Sequence, residues 1–250
     1  VPKLSAKSVG LLTEMRLDLK RTIFGFKEKI IINNEEKEEI VETKEYNKLD
    51  IDFENLIQND SNETISSMHS YFNNINPSEK NEYTGMFEGK NLIYIVAEAF
   101  SPMAINEQLT PTLYKLYNNG FKFTNFYTPV FYVSTSDGEY TTLTSLLPKE
   151  GTWSMSRSSK IYLPFTYGNL FNTEGYTTNE FHNGTYTYYN RDKSLPNMGY
   201  NYKACYHGLN INCGMWPQSD IEMIEATTED YINNDKFVVY YLTVSGHLQY

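Results

Sequence analysis

A hydroxyl-rich segment at 134–140, Ser-Thr-Ser-Asp-Gly-Glu-Tyr, carries a candidate for covalent chemistry. It opens a stretch, Thr135 to Leu147, whose pattern predicts a helix. A hydroxyl at a helix N-terminus lies in the positive field of the helix dipole, and a bound divalent metal would lower its pKa further. Thr135 is therefore a candidate nucleophile toward phosphorus. The alternative is that its hydroxyl only caps the helix.

Three more polar side chains, Glu98, His182 and His247, come shortly after apolar runs that are typical of buried strands. In a parallel sheet the carboxyl ends of the strands meet at one edge, where ligand sites lie. We therefore expect these side chains to project toward one site. Each also has an ordinary interpretation: Glu98 as a cap or surface charge, and His182 as a strand-end histidine bonded to backbone.

The elements that must position these residues alternate between strands and helices. A helix is predicted from Pro111 to Tyr117, with Thr110 as its N-cap, in addition to the helix that begins at Thr135. Apolar runs with β-branched or aromatic residues predict strands at 92–97, 121–127, 176–181 and 237–244. This alternation predicts an α/β domain with a largely parallel sheet flanked by helices.

Composition excludes several classes of protein. The 250 residues include 31 acidic and 21 basic side chains, a net charge of −10, which disfavours nucleic acid as a partner. No apolar run is long enough to span a membrane, and no signal peptide is recognisable. Because the sequence begins at Val1 and stops at Tyr250 just after a predicted strand, we expect it to be a segment of a longer protein.

The charge is unevenly distributed along the chain. Residues 1–33 carry +4, residues 34–90 carry −9 and residues 91–250 carry −5. The basic, amphipathic stretch at 11–30 either lies on an anionic membrane surface or packs as a helix on its own domain. The charged run at 35–46 predicts an exposed helix or a solvated linker. We expect a juxtamembrane helical or linker region at 1–88 and the N-terminal part of a separate α/β domain at 89–250.

Two cysteines, Cys205 and Cys213, lie eight positions apart. They are too few for a disulfide framework and lack the spacing of a zinc site. One local disulfide, formed in an oxidising compartment, and two buried thiols are both open interpretations.

Four blocks in this order resemble the lipoteichoic acid synthase family of the sulfatase and alkaline phosphatase-like superfamily. The blocks are 91–100, 134–143, 180–192 and 240–250. The resemblance implies an alkaline phosphatase/sulfatase-like fold, incomplete in this segment, in an extracytoplasmic domain that follows membrane-spanning helices. It also implies transfer of glycerol phosphate from phosphatidylglycerol, or a similar phospholipid, to a glycolipid or polyglycerol phosphate acceptor through a phosphothreonine.

The same resemblance implies a metal site. Glu98 matches a metal-binding glutamate, and Thr135 matches the nucleophile that also contacts the metal, which is manganese in the family; Mg²⁺ and Zn²⁺ remain open by ligand chemistry. The family completes the site with an adjacent Asp-His pair, and this chain contains no Asp-His dipeptide. We therefore expect the segment alone to bind manganese weakly and to be inactive.

The resemblance also implies substrate contacts. Arg191 matches an arginine that holds the phosphate, with a surface ion pair to Asp192 as the alternative. His182 and His247 match two histidines of the substrate pocket, and His247 is a candidate acid for the departing diacylglycerol. Tyr189 stands where the family usually has tryptophan, which keeps an aromatic wall with a polar tip.

Three rival functions are open at this point. Phosphoethanolamine transferases share the threonine nucleophile and the fold, but use zinc. A sulfatase-like hydrolase is disfavoured, because sulfatases carry a Cys/Ser-x-Pro-x-Arg sequence and residues 134–138 contain neither proline nor arginine. A binding or scaffolding domain that retains the fold without catalysis is the alternative from another class.

Overall fold

The structure is a computed structural model that describes residues 44–48, 51–128 and 130–247. The predicted amphipathic helix at 11–30 and most of the charged run at 35–46 lie outside these residues. The chain divides into two units between Thr84 and Gly85. Where the structure describes the chain, none of its helices combines the length and apolar character that a membrane crossing needs.

The first unit contains two short helices. They are α1 (Phe53–Asn59) and α2 (Glu63–Asn73). Each helix begins with a side-chain cap: the Asp52 carboxylate accepts from the Asn55 amide, and Asn62 caps α2 in the same way. A single antiparallel bridge pairs Tyr46 with Glu79. The described part of this unit thus contains two capped helices and one β-bridge.

The second unit is built on a five-stranded sheet in which every strand pair is parallel. The strands are β1 (Leu92–Val96), β2 (Thr177–Thr185), β3 (Asn201–Cys205), β4 (Gly208–Leu209) and β5 (Phe237–Leu242). Their order across the sheet is β1-β5-β2-β3-β4. The parallel sheet flanked by helices confirms the predicted fold class.

Six α-helices and three 3₁₀ turns are described in the second unit. The helices are α3 (Pro111–Asn119), α4 (Ser134–Thr144), α5 (Ser154–Ser158), α6 (Tyr167–Thr173), α7 (Arg191–Asn197) and α8 (Asp220–Thr227). The 3₁₀ turns are Pro102–Ala104, Tyr188–Asn190 and Thr228–Asp230. The helices predicted to begin after Thr110 and near Thr135 correspond to α3 and α4.

Strand β5 shows how the core is organised, because its side chains alternate between two apolar clusters. Tyr240 and Leu242 belong to a cluster that includes residues of α4, α5 and α7, whereas Val239 and Tyr241 belong to one that includes Met223 of α8. Every residue of β5 is buried. A strand covered on both faces by helices needs an unbroken apolar sequence, which explains the run that predicted it.

The observed strands differ from the predicted ones in three ways: one predicted strand is absent from the described sheet, two strands were missed, and one is longer than predicted. Residues 121–127 form no strand; no described strand pairs with them, and aromatic side chains such as Phe123 and Tyr127 are exposed. Strands β3 and β4 were missed, because both are short and neither contains an apolar run. Strand β2 extends to Thr185, so His182 lies inside the strand and not after it.

Candidate active site

Thr135 and Glu98, two of the predicted site residues, lie side by side beyond the carboxyl end of β1. The Thr135 Oγ1 lies 3.0 Å from both carboxylate oxygens of Glu98 and donates to that carboxylate. Thr135 is the second residue of α4, and Glu98 follows β1 by two positions. The two side chains are partly buried, and both line the same cavity of about 750 Å³. A hydroxyl and a carboxylate are thus held together where a ligand can reach them.

The start of α4 is held by Asp137 and not by Thr135. One oxygen of the buried Asp137 carboxylate accepts from the amides of Phe131, Tyr132 and Val133, at 2.9, 2.7 and 2.9 Å. Val133 is the N-cap residue, and no side chain caps the helix. The capping interpretation of Thr135 is therefore wrong, because its hydroxyl is directed to Glu98.

Glu98 is fixed through the neighbouring strand. Its amide donates to the Thr243 hydroxyl at 3.1 Å, and the Thr243 amide and hydroxyl both donate to the Val96 carbonyl. Ala99, which follows Glu98, has a φ of 54°, an uncommon conformation for a residue with a Cβ. The backbone thus turns sharply at Glu98, immediately after the strand.

The turn that carries His247 packs against the same place. A Cβ atom on Gly246 would lie 2.7 Å from the carbonyl oxygen of Glu98, so only glycine permits this approach. The His247 amide donates to the Val244 carbonyl at 2.8 Å, which closes the turn. The exposed His247 ring meets the edge of Trp216, with centroids 5.5 Å apart.

Arg191 forms a buried ion pair with Glu139. Its Nε donates to Glu139 Oε1 at 3.0 Å and its Nη2 donates to Oε2, and the two residues are 2% and 1% exposed. Burial alone would lower the pKa of Arg191, but the Glu139 carboxylate more than offsets this, and the pKa is raised. The interpretation of Arg191 as a surface ion pair with Asp192 is therefore wrong. Its Nη1 has no hydrogen-bond partner among the described residues.

Tyr189 lies beside Arg191, and its backbone has a positive φ angle. Tyr189 and Asn190 both have a φ of 57°, and two adjacent residues of this kind indicate local strain, which is often found at functional sites. The Tyr189 ring lies 5.2 Å from the Arg191 guanidinium carbon and packs edge-on against Trp153. Burial, followed by a hydrogen bond with Tyr188, raises the pKa of the Tyr189 phenol.

His182 is buried within β2, and its Nδ1 lies 3.0 Å from the carbonyl oxygen of Leu242. Burial, helped by the nearby Arg191, lowers the pKa of His182 to about 3. The ring is therefore neutral, with Nδ1–H donating to the carbonyl and Nε2 left as an acceptor. The ordinary interpretation, a histidine bonded to backbone, describes this contact, although the strand continues past it.

The predicted site residues thus fall into two groups, one beside the cavity and one that does not line it. Glu98 and Thr135 line the cavity, and the turn of His247 packs on Glu98. Arg191, Tyr189 and His182 do not line the described cavity. Glu139 connects the first group to Arg191, because it lines the cavity and also pairs with that guanidinium.

As metal ligands, Glu98 and Thr135 provide two oxygen donors on one side of the cavity. Oxygen donors suit Mn²⁺ and Mg²⁺. Where the chain is described, no three His, Cys, Asp or Glu side chains cluster closely enough to hold a metal ion. The two residues fit part of such a site, and the chain's described residues do not complete it.

Several residues of this region were not predicted from the sequence to belong to the site. Glu139 lies four positions after Thr135, and this helical spacing was the available signal for a shared face. The sequence contains no motif that marks the other four residues as part of the site, because the fold brings their contacts to them. These residues are Asp137, Trp153, Trp216 and Asp220. The two cysteines do form a disulfide, with Cα atoms 5.6 Å apart.

The family profile described as Sulfatase matches residues 90–250. The lipoteichoic acid synthase of Staphylococcus saprophyticus is 32% identical over 185 residues, 66% of this chain and 28% of the relative. Lipoteichoic acid synthase 1 of Bacillus subtilis is 32% identical over 152 residues, 56% of this chain and 23% of the relative. The chain thus spans about a quarter of the length of these curated relatives.

A solved structure has a similar fold. The crystal structure of the lipoteichoic acid synthase LtaP from Listeria monocytogenes matches with a TM-score of 0.61 and 26% sequence identity. The match covers 72% of this chain and 46% of that chain. The sheet and its helices therefore follow the architecture of that solved protein.

Proposed function

The chain belongs to the sulfatase family and to its lipoteichoic acid synthase branch, and on this premise we propose that it carries the nucleophile of a phosphoglycerol transferase. The observation that supports this most directly is the Thr135 hydroxyl, 3.0 Å from both oxygens of Glu98. Relatives named lipoteichoic acid synthase support this choice of reaction class. The donor is phosphatidylglycerol or a similar phospholipid, and the acceptor is a glycolipid or polyglycerol phosphate.

In the first step, the Thr135 oxygen attacks the phosphorus of the lipid and forms a phosphothreonine. Glu98 lies within hydrogen-bond distance of the Thr135 hydroxyl and is placed to accept its proton. The bond between phosphorus and the diacylglycerol oxygen breaks, and His247 donates a proton to that oxygen. In the second step, an acceptor hydroxyl gives its proton to His247 and attacks the phosphorus. The bond between phosphorus and the Thr135 oxygen breaks, and that oxygen takes back the proton held by Glu98.

Glu98 and Thr135 would also hold a divalent cation, Mn²⁺ first, with Mg²⁺ or Zn²⁺ as alternatives. When bound, such a cation would stabilise the Thr135 alkoxide as a Lewis acid. We expect further ligands to come from outside the described residues, and this segment alone to bind the metal weakly and to be inactive.

The buried groups would hold the phosphate and the head group. Arg191 keeps Nη1 for a phosphate oxygen, because Glu139 occupies its other edge. His182 offers its neutral Nε2, which accepts a hydrogen bond from a hydroxyl of the substrate. Tyr189 provides an aromatic wall. We propose that the natural protein works at the outer face of a cell membrane, where its lipid donor resides, with membrane helices that precede this chain.

The test is the covalent intermediate in the natural protein. Thr135→Ala should abolish both turnover and a glycerol phosphate adduct on the peptide that contains residue 135, measured by mass spectrometry. Thr142→Ala is the matched control, because Thr142 lies on the same helix and lines the same cavity. Vesicles of phosphatidylglycerol and phosphatidylethanolamine are compared, with Mn²⁺, Mg²⁺, Zn²⁺ or chelator present.

An adduct that persists in Thr135→Ala would refute Thr135 as the nucleophile. A phosphoethanolamine adduct would identify the transferase of that head group instead. If neither lipid gives an adduct with any of the metals, the binding or scaffolding function is supported and the transferase is rejected.

A further inference from the structure

We infer that Asp220 is a positioning residue that holds the turn bearing His247 in place for proton transfer. The inference rests on the proposed function, since it assumes His247 as the acid for the departing diacylglycerol. Asp220 is the first residue of α8 and is distant in sequence from the turn. It was not recognised from the sequence, and it does not line the cavity beside Thr135.

The Asp220 carboxylate binds the turn through three donors. Oδ1 accepts from the Val244 amide at 2.8 Å and from the Ser245 amide at 3.1 Å, and Oδ2 accepts from the Ser245 hydroxyl. Hydrogen bonds from backbone amides to a carboxylate are strong, because the acceptor is charged. The two residues that immediately precede Gly246 and His247 are thus fixed by one side chain.

The same carboxylate reaches strand β2. The Asn183 side-chain amide donates to Asp220 Oδ1 at 2.7 Å and also lies 3.1 Å from the Gln218 carbonyl oxygen. Asn183 is the neighbour of His182 and is fully buried. Asp220 therefore links the turn after β5 to a buried residue of β2, which fixes the position of the turn relative to that strand.

The other side of the turn has little room to move. Gly246 lies against the Glu98 carbonyl, and the His247 ring lies against Trp216, which is four residues before Asp220. Asp220 binds the amides of Val244 and Ser245. Gly246 is held by its close packing, and the His247 amide is bonded to the Val244 carbonyl. Without Asp220, two turn amides and one hydroxyl lose their acceptor, and the His247 ring loses its fixed position relative to Glu98.

Proton transfer distinguishes positioning from simple stabilisation of the fold. Diacylglycerol leaves as a poor alkoxide, so breaking its bond to phosphorus needs the His247 proton. A 4-nitrophenyl ester of glycerol phosphate releases a stable phenolate and needs no proton at the leaving oxygen. Loss of positioning should therefore slow the lipid reaction and spare the nitrophenyl reaction, whereas general damage would slow both.

The experiment compares the natural protein with its Asp220→Ala and Asp220→Asn variants, on phosphatidylglycerol vesicles and on the nitrophenyl diester. General acid catalysis contributes about 10²- to 10⁴-fold, so we expect Asp220→Ala to slow adduct formation from the lipid by roughly 10- to 100-fold. The nitrophenyl reaction should change by less than about 3-fold, because it needs no proton from His247 at the leaving oxygen. Asp220→Asn, which keeps one oxygen acceptor, should lie between. Asp230→Ala is the matched control, because Asp230 pairs with Lys203 at the surface.

A double variant adds a second criterion. If Asp220 acts through His247, Asp220→Ala should slow the lipid reaction little further once His247→Ala is present, because effects of residues that act as a unit are not additive. Full additivity of the two substitutions would overturn the inference. So would equal slowing of both substrates by Asp220→Ala, or no slowing of either.

Amide hydrogen exchange separates failure of this inference from failure of the proposed function. Asp220→Ala should speed exchange at the Val244 and Ser245 amides, and Asp230→Ala should not. If the natural protein forms no adduct with Thr135, the proposed function fails, and the exchange result still decides whether Asp220 holds the turn. Unchanged exchange in Asp220→Ala would overturn the positioning role directly.

Discussion

His182 links the stability of this fold to pH, because its imidazole is buried in β2 and held neutral. Burial lowers the pKa of His182 from 6.5 to about 3. The unfolded chain therefore binds a proton at this residue from about pH 6.5 downward, whereas the folded protein does not until about pH 3. Stability is fully present above the unfolded pKa and falls as the pH drops through it. The perturbation that removes this linkage is His182→Asn, whose amide can still donate to the Leu242 carbonyl.

The size of the effect follows from the proton balance. Between pH 7 and pH 5, protonation of the unfolded histidine lowers the free energy of unfolding by about 2 kcal/mol, and the slope cannot exceed about 1.4 kcal/mol per pH unit. Other titrating groups also change over this range, so the informative quantity is the difference between the natural protein and His182→Asn. That difference should shift by about 2 kcal/mol in favour of the variant as the pH falls from 7 to 5.

The assay is urea denaturation at a series of pH values, with the free energy of unfolding extrapolated to water. Ser194→Ala is the control, because it removes a buried hydrogen bond to the Met155 carbonyl without removing a titrating group. Its loss of stability should be the same at both pH values. If the curve for His182→Asn stays parallel to that of the natural protein, the imidazole is not held neutral by burial, and the reasoning fails.

Two further predictions concern the charges buried behind the site. Glu180 is fully buried without a hydrogen-bond partner among the described residues, and burial, followed by the nearby Glu139, raises its pKa well above the usual value. Glu180→Gln should therefore stabilise the protein above the unfolded pKa of about 4.5, by a margin that grows with pH, and should give no gain below it in urea denaturation. Glu139→Leu leaves the buried Arg191 charge unpaired and should cost about 3–5 kcal/mol. The Glu139→Leu/Arg191→Met double variant should recover much of this loss, and a double variant as unstable as the sum of both single ones would contradict the ion-pair argument.

The parts of this fold that follow from local pattern were predictable. Strand β5 is covered on both faces and is therefore apolar throughout, so its run was visible in the sequence. Glu98 and Thr135 were found because one follows a strand and the other begins a helix, and the general rule for parallel sheets brings such positions together. The segment at 121–127 has the composition of a strand, but it joins none of the described strands of the sheet.

The remaining contacts depend on residues far apart in the sequence. The partner of Arg191 is Glu139, 52 positions away, while the adjacent Asp192 was the more obvious choice. Asp220 binds a turn that is 24 and 25 positions distant, and an acidic residue in the first turn of a helix gives no sign of this. Such side chains act through the three-dimensional arrangement, which composition and spacing do not specify.

The Glu139–Arg191 pair has a consequence for the nucleophile itself. Glu139 lies one helical turn after Thr135 on α4, and Arg191 begins α7, so the buried pair joins these two helices. Moving either helix would separate two charges in a dry interior, which is costly. The distance between the Thr135 hydroxyl and the Arg191 Nη1 is therefore set before a substrate arrives. In the proposed reaction, the spacing of the two groups that act on one phosphate would be set in advance, and a fixed arrangement of charges is what stabilises a transition state most effectively.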